Sequence, residues 1–426
     1  MASSPDGAMA GPTRASTPFQ KRATTMRRRL RTRAAATCGL LAGVALTQLA
    51  IAGTAHAAAP DVTGRYIVVL KSQTPSSSVA TAAASRARAR GARVTNEFSH
   101  AVNGYSAQLS ATQLAATQAD PDVAFVEPDA VVHVTDDDVS ADRAVTQRNP
   151  DWGLDRVDQR RPPLNNIYTY ASTGNGVTAY LIDTGIHASH QDFGGRARGG
   201  FSVIDDGHGT DDCDGHGTHV AGIVGGSTYG VAKSARLVGV RVLDCDGFGT
   251  ISGVIAGIDW VTADHSGPAV VNMSLGASAS RALDQAVRQS INSGLTYAVA
   301  AGNSNGDACN ESPSRVPNAI TVGATTNADS RDTDYSNFGR CVDLFAPGTN
   351  ITSDWNTSDS ATNTISGTSM ATPFVTGAAA LYLQRHPNAR PNTVRDAIVN
   401  AGTSGILANP GPGSPNVLLY TRASGF

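Results

Sequence analysis

Short apolar–polar alternations and alanine-rich stretches share the region between residues 64 and 129. Alternation with a period of two is typical of strands, whereas the alanine-rich stretches have a helical pattern. The order is strand, helix, strand, helix, strand, over residues 64–71, 79–90, 103–109, 111–118 and 123–129. This order predicts a small α/β sandwich.

A longer region, from about residue 144 to residue 426, alternates apolar runs with segments of helical pattern. The apolar runs cover residues 177–183, 236–243, 269–274, 297–301 and 319–324. The helical segments cover residues 216–225, 253–264, 279–294, 369–386 and 391–401. This alternation predicts a larger α/β unit built on a doubly wound, mostly parallel sheet.

The beginning of the chain has the pattern of a leader and not of a folded unit. A basic region precedes an alanine- and leucine-rich run over residues 34–53, which ends on the A-x-A sequence 55–57. We therefore predict a secretory signal peptide over residues 1–57, cleaved near Ala57–Ala58. An uncleaved membrane anchor is the alternative, although the run is only marginally long enough to span a bilayer. No later segment is long and apolar enough to span, so we expect a secreted, extracellular protein without stable membrane association.

Composition excludes two classes of protein. Charged residues make up 16% of the chain, below the roughly 25% of an average domain, and 44 of the 426 residues are glycine. These values suit a compact, turn-rich protein and argue against disorder. The net charge of −2 contains no basic excess, so we expect no nucleic-acid partner.

The cysteines support export. Cys38 lies within the predicted leader, which leaves Cys213, Cys245, Cys309 and Cys341. An even number of cysteines in an exported chain is typical of disulfides, and four cysteines allow three connectivities. A zinc site is the competing interpretation, but the sequence contains no C-x-x-C pair.

Three glycine-containing motifs place an Asp, a His and a Ser in that order: Asp183 in AYLIDTG, His216 in DGHGTH and Ser369 in SGTSMATP. A hydroxyl nucleophile needs a base to take its proton, and that base needs a carboxylate to fix its tautomer. Asp183 ends a predicted strand, and sites in open parallel sheets lie beyond the carboxyl ends of the strands. Ser369 begins a predicted helix, whose N–H groups and dipole suit an oxyanion.

Each of these residues also has an ordinary structural interpretation. Asp183 would cap a turn before glycine, and Ser369 would cap a helix. His216 and His219 lie on one helix face and could bind a metal, but no third ligand is in register nearby. The chain order Asp, His, Ser nevertheless separates subtilisin-type hydrolases from the chymotrypsin type and from α/β-hydrolases.

On these three motifs the chain resembles the subtilisin-like serine proteases (subtilases), closest to the proteinase K and aqualysin branch, over roughly residues 64–426. The resemblance implies a subtilisin-like fold and an endopeptidase that is monomeric when mature. It implies that Ser369 attacks the peptide carbonyl, that His216 is the general base and that Asp183 orients it. It also implies that the side-chain amide of Asn303 is an oxyanion donor beside the Ser369 backbone N–H.

The same resemblance makes the N-terminal unit an inhibitory propeptide of ferredoxin-like fold. The implied segments are a signal peptide (1–57), a propeptide with its linker (58–143) and a catalytic domain (144–426). The propeptide would assist folding as an intramolecular chaperone and inhibit the enzyme, with self-cleavage near Arg143–Ala144. A small accessory domain that stays attached is the alternative.

Substrate binding is expected along backbone edges, because an extended peptide can pair with them as an added strand. The resemblance assigns one edge to Gly247 and Gly249, and the opposite edge to Ser274, Leu275 and Gly276. It assigns the walls of the first specificity pocket to Ala300, Ala301 and Gly302. These small residues lead us to expect broad cleavage of protein and peptide substrates, with a preference for apolar or aromatic residues before the scissile bond.

The resemblance also implies disulfides Cys213–Cys245 and Cys309–Cys341, and structural calcium (Ca²⁺). Carboxylate and backbone oxygens suit calcium. One implied ligand set is the carbonyls of Pro317 and Ala319 with the carboxylate of Asp343. The other set is Asp155, Asp158 and Gln159. The chain departs from the family pattern at Asn165 and Ile167, where related enzymes add acidic and amide ligands, and at Phe374, where histidine is usual.

Two other functions would fit parts of the sequence. A pseudoprotease that only captures peptides would not need the complete set of catalytic side chains. A lipase or esterase would need G-x-S-x-G followed by a base, but Ala371 replaces the second glycine and His386 is the only histidine after Ser369. We therefore predict a secreted serine endopeptidase made as a proprotein.

Overall fold

The computed structural model describes residues 62–71, 76–134, 137–138 and 149–422 of the chain. The predicted signal peptide over residues 1–57 and the predicted junction Arg143–Ala144 lie outside the described residues. Among the helices of the described part, none combines the length and apolarity needed to cross a membrane.

The N-terminal unit is an antiparallel sheet with two helices. Its elements are β1 (Arg65–Leu70), α1 (Ser77–Ala89), β2 (Arg93–Phe98), β3 (Gly104–Gln108), α2 (Ala111–Gln118) and β4 (Val123–Pro128). The strands lie in the spatial order β2-β3-β1-β4, and each neighbouring pair is antiparallel. The prediction of a ferredoxin-like unit is therefore confirmed.

After β4 the chain forms two short strands that pair with the larger unit. They are β5 (Val131–Val134) and β6 (Asp137–Asp138). We call these two strands the tail. Neither strand of the tail was expected from the sequence pattern, because each is too short to show periodicity.

The larger unit begins with a short helix and then alternates strands with longer helices. Its elements are α3 (Trp152–Val157), β7 (Thr178–Asp183), β8 (Ala197–Ser202), α4 (His216–Gly225), β9 (Arg236–Arg241), β10 (Phe248–Thr250), α5 (Ile251–Asp264), β11 (Ala269–Met273), β12 (Leu275–Ser278), α6 (Arg281–Asn292), β13 (Thr296–Ala300), β14 (Glu311–Ser312), β15 (Ile320–Thr325), β16 (Leu344–Pro347), β17 (Ile351–Asp354), β18 (Thr362–Ser366), α7 (Thr368–Arg385), α8 (Pro391–Ala401), β19 (Thr403–Ser404) and β20 (Val417–Leu418).

The central sheet contains nine of the described strands, in the order β19-β20-β16-β15-β13-β11-β7-β9-β8. Its neighbouring pairs are parallel, except that β19 is antiparallel to β20. The chain starts the sheet at β7, adds β8 and β9 on one side, and then crosses to add β11 and its successors on the other. The predicted doubly wound sheet is therefore confirmed, and its switch point lies beside β7.

Alternate residues of the central strands face two separate cores. Ala179 and Leu181 of β7 pack with residues of α4, α7 and α8, whereas Tyr180 and Ile182 pack with residues of α5 and α6. Because both faces of the sheet are covered, its strands appear in the sequence as continuous apolar runs. Polar side chains are then confined to the strand ends, where the site lies.

The N-terminal unit packs on α5 and α6 through one face of its sheet. Ile67, Val69 and Phe98 belong to the same buried cluster as these two helices. The intervening residues Val68 and Leu70 lie instead in the unit's own core, with residues of α1. Because side chains alternate along β1, its two faces contribute to two separate cores.

Three acidic side chains add polar contacts between the two units. Asp259 of α5 accepts hydrogen bonds from the backbone N–H groups of His100 and Ala101, each at 2.6 Å. Glu127 and Asp129 accept backbone hydrogen bonds at the N-termini of α6 and α5, respectively. A carboxylate is favourable at a helix N-terminus, where the helix dipole is positive.

Two disulfides join Cys213 to Cys245 and Cys309 to Cys341, which confirms the predicted pairing. Among the described residues, the cluster of potential metal ligands with suitable spacing is His208 with Cys213 and Cys245. Because these two sulfur atoms are bonded to each other, they cannot act as thiolate ligands. The zinc interpretation of the cysteines is therefore wrong for this pair.

Candidate active site

Asp183 and His216 form a buried carboxylate–imidazole pair. Asp183 is the last residue of β7, and His216 is the first residue of α4. His216 Nδ1 lies 2.6 Å from Asp183 Oδ1, and neither residue is exposed to solvent. Burial raises the pKa of Asp183, and the neighbouring His216 opposes that rise. The carboxylate fixes the tautomer of the imidazole, because it accepts the Nδ1 proton.

The loop before His216 is held by Asp212, which the sequence analysis did not single out. Its carboxylate accepts hydrogen bonds from Thr184 Oγ1 and from the backbone N–H groups of Gly215 and Thr218, each at 2.8 Å. The carboxylate therefore connects the end of β7 to the start of α4. The spacing D-x-D-G-H was the available signal, since Asp at a turn commonly bonds to nearby backbone groups.

Gly215 precedes His216 in a conformation that favours glycine. Its φ is 120°, in the left-handed region. A side-chain carbon there would lie only 2.4 Å from the ring of Trp355. The indole ring therefore packs directly on the backbone that carries the base, and any side chain at position 215 would displace it.

His219 has a structural role. Its Nε2 lies 3.1 Å from the carbonyl oxygen of Ile351 and 3.2 Å from that of Asn363, and only an N–H can donate to both. Burial lowers the pKa of His219 to about 3, so the ring is neutral at neutral pH. The cluster of potential metal ligands found among the described residues contains neither His216 nor His219.

Ser369 lies in the first turn of α7 and is bonded twice to Ser274. Ser369 Oγ donates to the Ser274 carbonyl at 3.1 Å, and Ser274 Oγ donates to the Ser369 carbonyl at 2.8 Å. The Ser369 carbonyl is available to the Ser274 hydroxyl because Pro373, four positions later in the helix, has no N–H to donate to it. Asn272 Nδ2 donates in turn to Ser274 Oγ at 2.9 Å. A buried hydrogen-bond network thus sets the position of the serine.

Asn303 is oriented by the residue before the serine. Its Oδ1 accepts hydrogen bonds from the Thr368 backbone N–H at 3.0 Å and from Thr368 Oγ1 at 2.7 Å. Because the amide oxygen is held in this way, Nδ2 is the end that can donate to a ligand. Thr368 is therefore a positioning residue that the sequence analysis missed.

Three neighbouring strands supply these groups. Asp183 ends β7, Ser274 directly follows β11, and Asn303 follows β13. These strands are adjacent and parallel, so their carboxyl ends meet at one edge of the sheet. Helices α4 and α7, which carry His216 and Ser369, pack against each other at that edge. An open parallel sheet places its site at this edge and beside its switch point.

The tail occupies a cleft beside this edge. Strand β5 lies between β10 and β12 and is antiparallel to both. Val132 lies opposite Gly249, His133 lies opposite Gly276, and Val134 N donates to the Gly247 carbonyl at 3.0 Å. Leu275 lies opposite Val134. Four of the predicted substrate-binding residues therefore flank an extended peptide segment, which is strand addition.

The tail pairs again beyond the serine. Asp137 lies opposite Ser366, and Asp138 lies opposite Ile365, in the strand β18 that leads into α7. On the near side, Val134 lies opposite Leu275, the neighbour of Ser274, to which Ser369 is bonded. The two described strands of the tail therefore pair with the segment beside Ser274 and with the strand that leads into α7.

A cavity of about 720 Å³ opens between the tail, β12 and the loop that follows β13, and Asn303 lies at its wall. The predicted wall residues Ala300, Ala301 and Gly302 are not among the described residues that line this cavity, and Ala300 and Ala301 are 3% and 0% exposed. Glu311 does line the cavity. The sequence analysis overlooked Glu311, although it is the only glutamate after residue 127.

The first predicted calcium set does not fit a metal ion. Asp343 Oδ1 forms an ion pair with the Arg395 guanidinium, and Oδ2 accepts the Thr321 N–H at 2.8 Å. Both carboxylate oxygens thus have a partner, and the site already contains a positive charge from α8. A divalent cation beside the carbonyls of Pro317 and Ala319 would be repelled by that guanidinium.

In the second predicted calcium set, the carboxylate of Asp158 is suited to bind a cation. Asp158 is 1% exposed, and its Oδ1 has no hydrogen-bond donor among the described residues. Burial raises the pKa of Asp158, and the nearby carboxylate of Asp155 adds to the rise. Asp155 itself accepts the backbone N–H groups of Asn165 and Asn166. The amide nitrogen of Gln159 donates to two backbone carbonyls, so its oxygen remains the end suited to a metal.

Comparison with known families gives two matches along the chain. Residues 174–416 match the model of the Subtilase family. Residues 65–135 match the model of the Peptidase inhibitor I9 family. The first match covers the strands and helices that carry Asp183, His216 and Ser369. The second covers the N-terminal unit and all of β5.

Individual relatives agree with this division. The chain is 55% identical to an extracellular serine proteinase of Thermus sp. (strain Rt41A) over 332 residues, which are 78% of each protein. It is 51% identical to the alkaline serine exoprotease A of Vibrio alginolyticus over 77% of this chain and 60% of that protein. The crystal structure of a cold adapted subtilisin-like serine proteinase superposes with a TM-score of 0.63 at 53% identity, covering 65% of this chain and all of that one.

Proposed function

Because this chain belongs to the subtilase family of serine endopeptidases, with an I9-type propeptide, we propose that it is a secreted enzyme that hydrolyses proteins with Ser369 as nucleophile. The observation that carries the proposal is the buried Asp183–His216 pair at the same sheet edge as Ser369. The Thermus relative, an extracellular serine proteinase, supports export.

The proposed reaction uses the groups at that edge in sequence. His216 takes the Ser369 hydroxyl proton as Oγ attacks the substrate carbonyl carbon, and Asp183 stabilises the imidazolium that forms. The resulting oxyanion accepts hydrogen bonds from the Ser369 backbone N–H and from Asn303 Nδ2. His216 then gives its proton to the leaving amine. Water, deprotonated by His216, attacks the acyl-enzyme and releases the second product.

Substrates would take the place of the tail between β10 and β12. Gly247, Gly249, Leu275 and Gly276 would provide the edges for this pairing. Because main-chain pairing is independent of side-chain type, sequence selectivity should be broad. The pocket beside Ala300, Ala301 and Gly302 would take the side chain before the scissile bond.

The N-terminal unit would act as inhibitor and folding aid, since its tail fills the cleft that a substrate needs. Self-cleavage near Arg143–Ala144 would separate this unit from the enzyme. The mass of the released propeptide checks this site. A propeptide fragment that does not end near Arg143 would contradict it.

Calcium would stabilise the fold and take no part in the reaction. Asp158, with Asp155 and the Gln159 amide oxygen beside it, is the set that we propose to hold it. The bound cation would neutralise two buried carboxylates, which are costly to keep charged without a partner. We propose no calcium at Asp343.

The test compares Ser369→Ala with wild type on casein and on succinyl-Ala-Ala-Pro-X anilides. Loss of the nucleophile should lower kcat by about 10⁶, the size of the effect in subtilisin, and should leave the proprotein uncut. Ser360→Ala, an exposed serine, is the matched control and should retain full activity. Equal turnover by wild type and Ser369→Ala would exclude the proposed mechanism. Negligible turnover by both would favour a peptide-binding pseudoprotease.

A further inference from the structure

The carboxylate of Glu311 faces the pocket for the substrate residue before the scissile bond. A side-chain carbon at Gly302 would lie 2.2 Å from Glu311 Oε2, and one at Gly276 would lie 3.7 Å from it. Gly276 borders the tail at His133, and Gly302 precedes Asn303. The oxygen therefore lies between the two backbone walls of the pocket, where neither wall has a side chain.

The side chain of Glu311 is held in this position from one end. Its Oε1 accepts hydrogen bonds from Ser304 Oγ at 2.8 Å and from Asn337 Nδ2 at 3.0 Å. Asn337 is fully buried, and its Nδ2 also donates to the Ala301 carbonyl at 2.9 Å. The backbone of Glu311 is fixed as well, because β14 pairs with β12. Because Oε1 is held by these hydrogen bonds, the orientation of Oε2 is fixed before any ligand binds.

The other carboxylate oxygen is not used within the protein. In the described ranges, no side chain or backbone group donates a hydrogen bond to Oε2, and Glu311 takes part in no ion pair. A negative charge at the wall of a pocket, with one oxygen open, is an acceptor for a cationic or hydrogen-bonding ligand.

The strand register brings a substrate side chain to this oxygen. A substrate that continued the register of β5 would place one residue opposite Ser274, beside Ser369. That substrate residue would share a strand face with the positions of Val131 and His133, because side chains alternate along a strand. Both of these residues line the cavity that contains Glu311. A long side chain at the position opposite Ser274 can therefore extend between Gly276 and Gly302.

We infer that Glu311 makes the enzyme prefer lysine and arginine over apolar residues of similar length before the scissile bond. The inference rests on the proposed serine mechanism and names its substrate class. The aliphatic stem of a lysine or arginine would pass between Gly276 and Gly302, and its charged end would bond to Oε2. Apolar side chains would fill the same space but leave the carboxylate without a partner. This changes the expected preference for apolar or aromatic residues.

The chain itself contains a site of this kind. Arg143–Ala144, the junction expected for the mature enzyme, has arginine before the bond. Self-cleavage there would therefore be a reaction after a basic residue. The same pocket would then determine both the substrates of the mature enzyme and its own N-terminus.

The experiment measures kcat/KM for succinyl-Ala-Ala-Pro-X anilides with X as Lys, Arg, Met, Leu or Phe. Wild type should favour Lys over Met by about 10-fold or more, as expected for one charge-assisted hydrogen bond. Glu311→Gln should bring this ratio close to one while retaining activity on Met and Phe, because the amide keeps the size and the Oε1 contacts. Asp334→Asn removes one exposed negative charge elsewhere, and its Lys/Met ratio should equal that of wild type.

Three outcomes would overturn the inference. The first is a wild type that prefers Met or Phe over Lys. The second is a Lys preference that persists in Glu311→Gln. The third is an equal loss in Asp334→Asn, which would indicate a general field of the protein and not one oxygen. In each case turnover that depends on Ser369 would leave the proposed mechanism standing, whereas no turnover of any anilide or of casein would reject the mechanism itself.

Discussion

The contact of Asp259 with the propeptide should control how tightly the propeptide inhibits the enzyme. Asp259 is 7% exposed, and its carboxylate accepts the N–H groups of His100 and Ala101, both at 2.6 Å. It also accepts the N–H of Ser99 at 3.2 Å and lies 3.0 Å from His100 Nδ1. A single catalytic-domain side chain therefore gathers four donors from one propeptide loop.

The size of the effect follows from these contacts. A hydrogen bond to a charged group contributes about 1.5–3 kcal/mol net. We take the lower end for the two short bonds, because the loop can be hydrated once Asp259 is removed. The sum of about 3 kcal/mol corresponds to an inhibition constant roughly 100-fold weaker in Asp259→Ala.

The assay adds a separate propeptide to the mature enzyme and follows anilide hydrolysis. Asp259 belongs to the mature enzyme, so its substitution leaves the inhibitor unchanged, and kcat/KM without inhibitor should also be unchanged. The propeptide variant His100→Ala is the comparison. It removes a side chain that is 48% exposed but keeps the backbone donors, so it should cost less than about 1 kcal/mol. Similar inhibition constants for Asp259→Ala and wild type would show that apolar packing on α5 and α6 holds the propeptide instead.

Three further substitutions test other parts of the structure. Asn303→Ala should lower kcat by about 10²–10³ with little change in KM, which is the effect known for a subtilisin asparagine in this role. Unchanged steady-state kinetics would show that Asn303 does not bind the oxyanion. Burial and the adjacent Asp192 raise the pKa of Asp354 well above its ordinary value. The folded state therefore keeps a proton on Asp354 that the unfolded chain releases. The free energy of unfolding should fall as the pH rises above the ordinary pKa of aspartate. Asp354→Asn should flatten this fall in Tm as the pH rises above the ordinary pKa of aspartate, and an unchanged slope would contradict the assignment. Arg395→Met should free Asp343 to bind calcium, so the Tm of the mature enzyme, inactivated by sulfonylation of its serine, should rise when calcium is added. If wild type already shows such a rise and Asp343→Asn loses it, Arg395 does not take the place of the metal.

The elements that the sequence predicted best are those whose ends are marked locally. Helix α4 was predicted over residues 216–225 and helix α8 over residues 391–401, and both match the structure. Glycine stands on both sides of α4, and a proline begins α8. Such signals act within one turn, so they can be recognised without knowing the fold.

The strands that the sequence missed depend on partners elsewhere in the chain. β2 contains mostly polar residues, because it is an edge strand that packs weakly on one face. β8 contains Gly199 and Gly200, and a side-chain carbon at Gly200 would lie 2.7 Å from Trp260. The close approach of that ring from α5 explains the glycine, but nothing near position 200 in the sequence reveals it.

The side chains that we propose for catalysis were predicted because their motifs carry the chemistry, whereas the residues that support them were not. Asp183, His216 and Ser369 are each recognisable from adjacent residues. Thr368 and Glu311 act on groups that are distant in sequence, so their roles become visible only when the strands are assembled. Ion pairs are similar, since the proximity of Arg395 to Asp343 could not be read from two residues 52 positions apart.

The propeptide contacts the enzyme both in the cleft and on helices α5 and α6, and the two kinds of contact should have different roles in activation. The tail bonds to the same backbone edges that a substrate would use, so those bonds give it no advantage over a substrate. The contacts of Asp259, Glu127 and Asp129 lie outside the cleft, and a peptide substrate cannot make them. They hold the tail at a high effective concentration after its cleavage. Release of the active enzyme should therefore depend on breaking the contacts on α5 and α6, and not on further chemistry in the cleft.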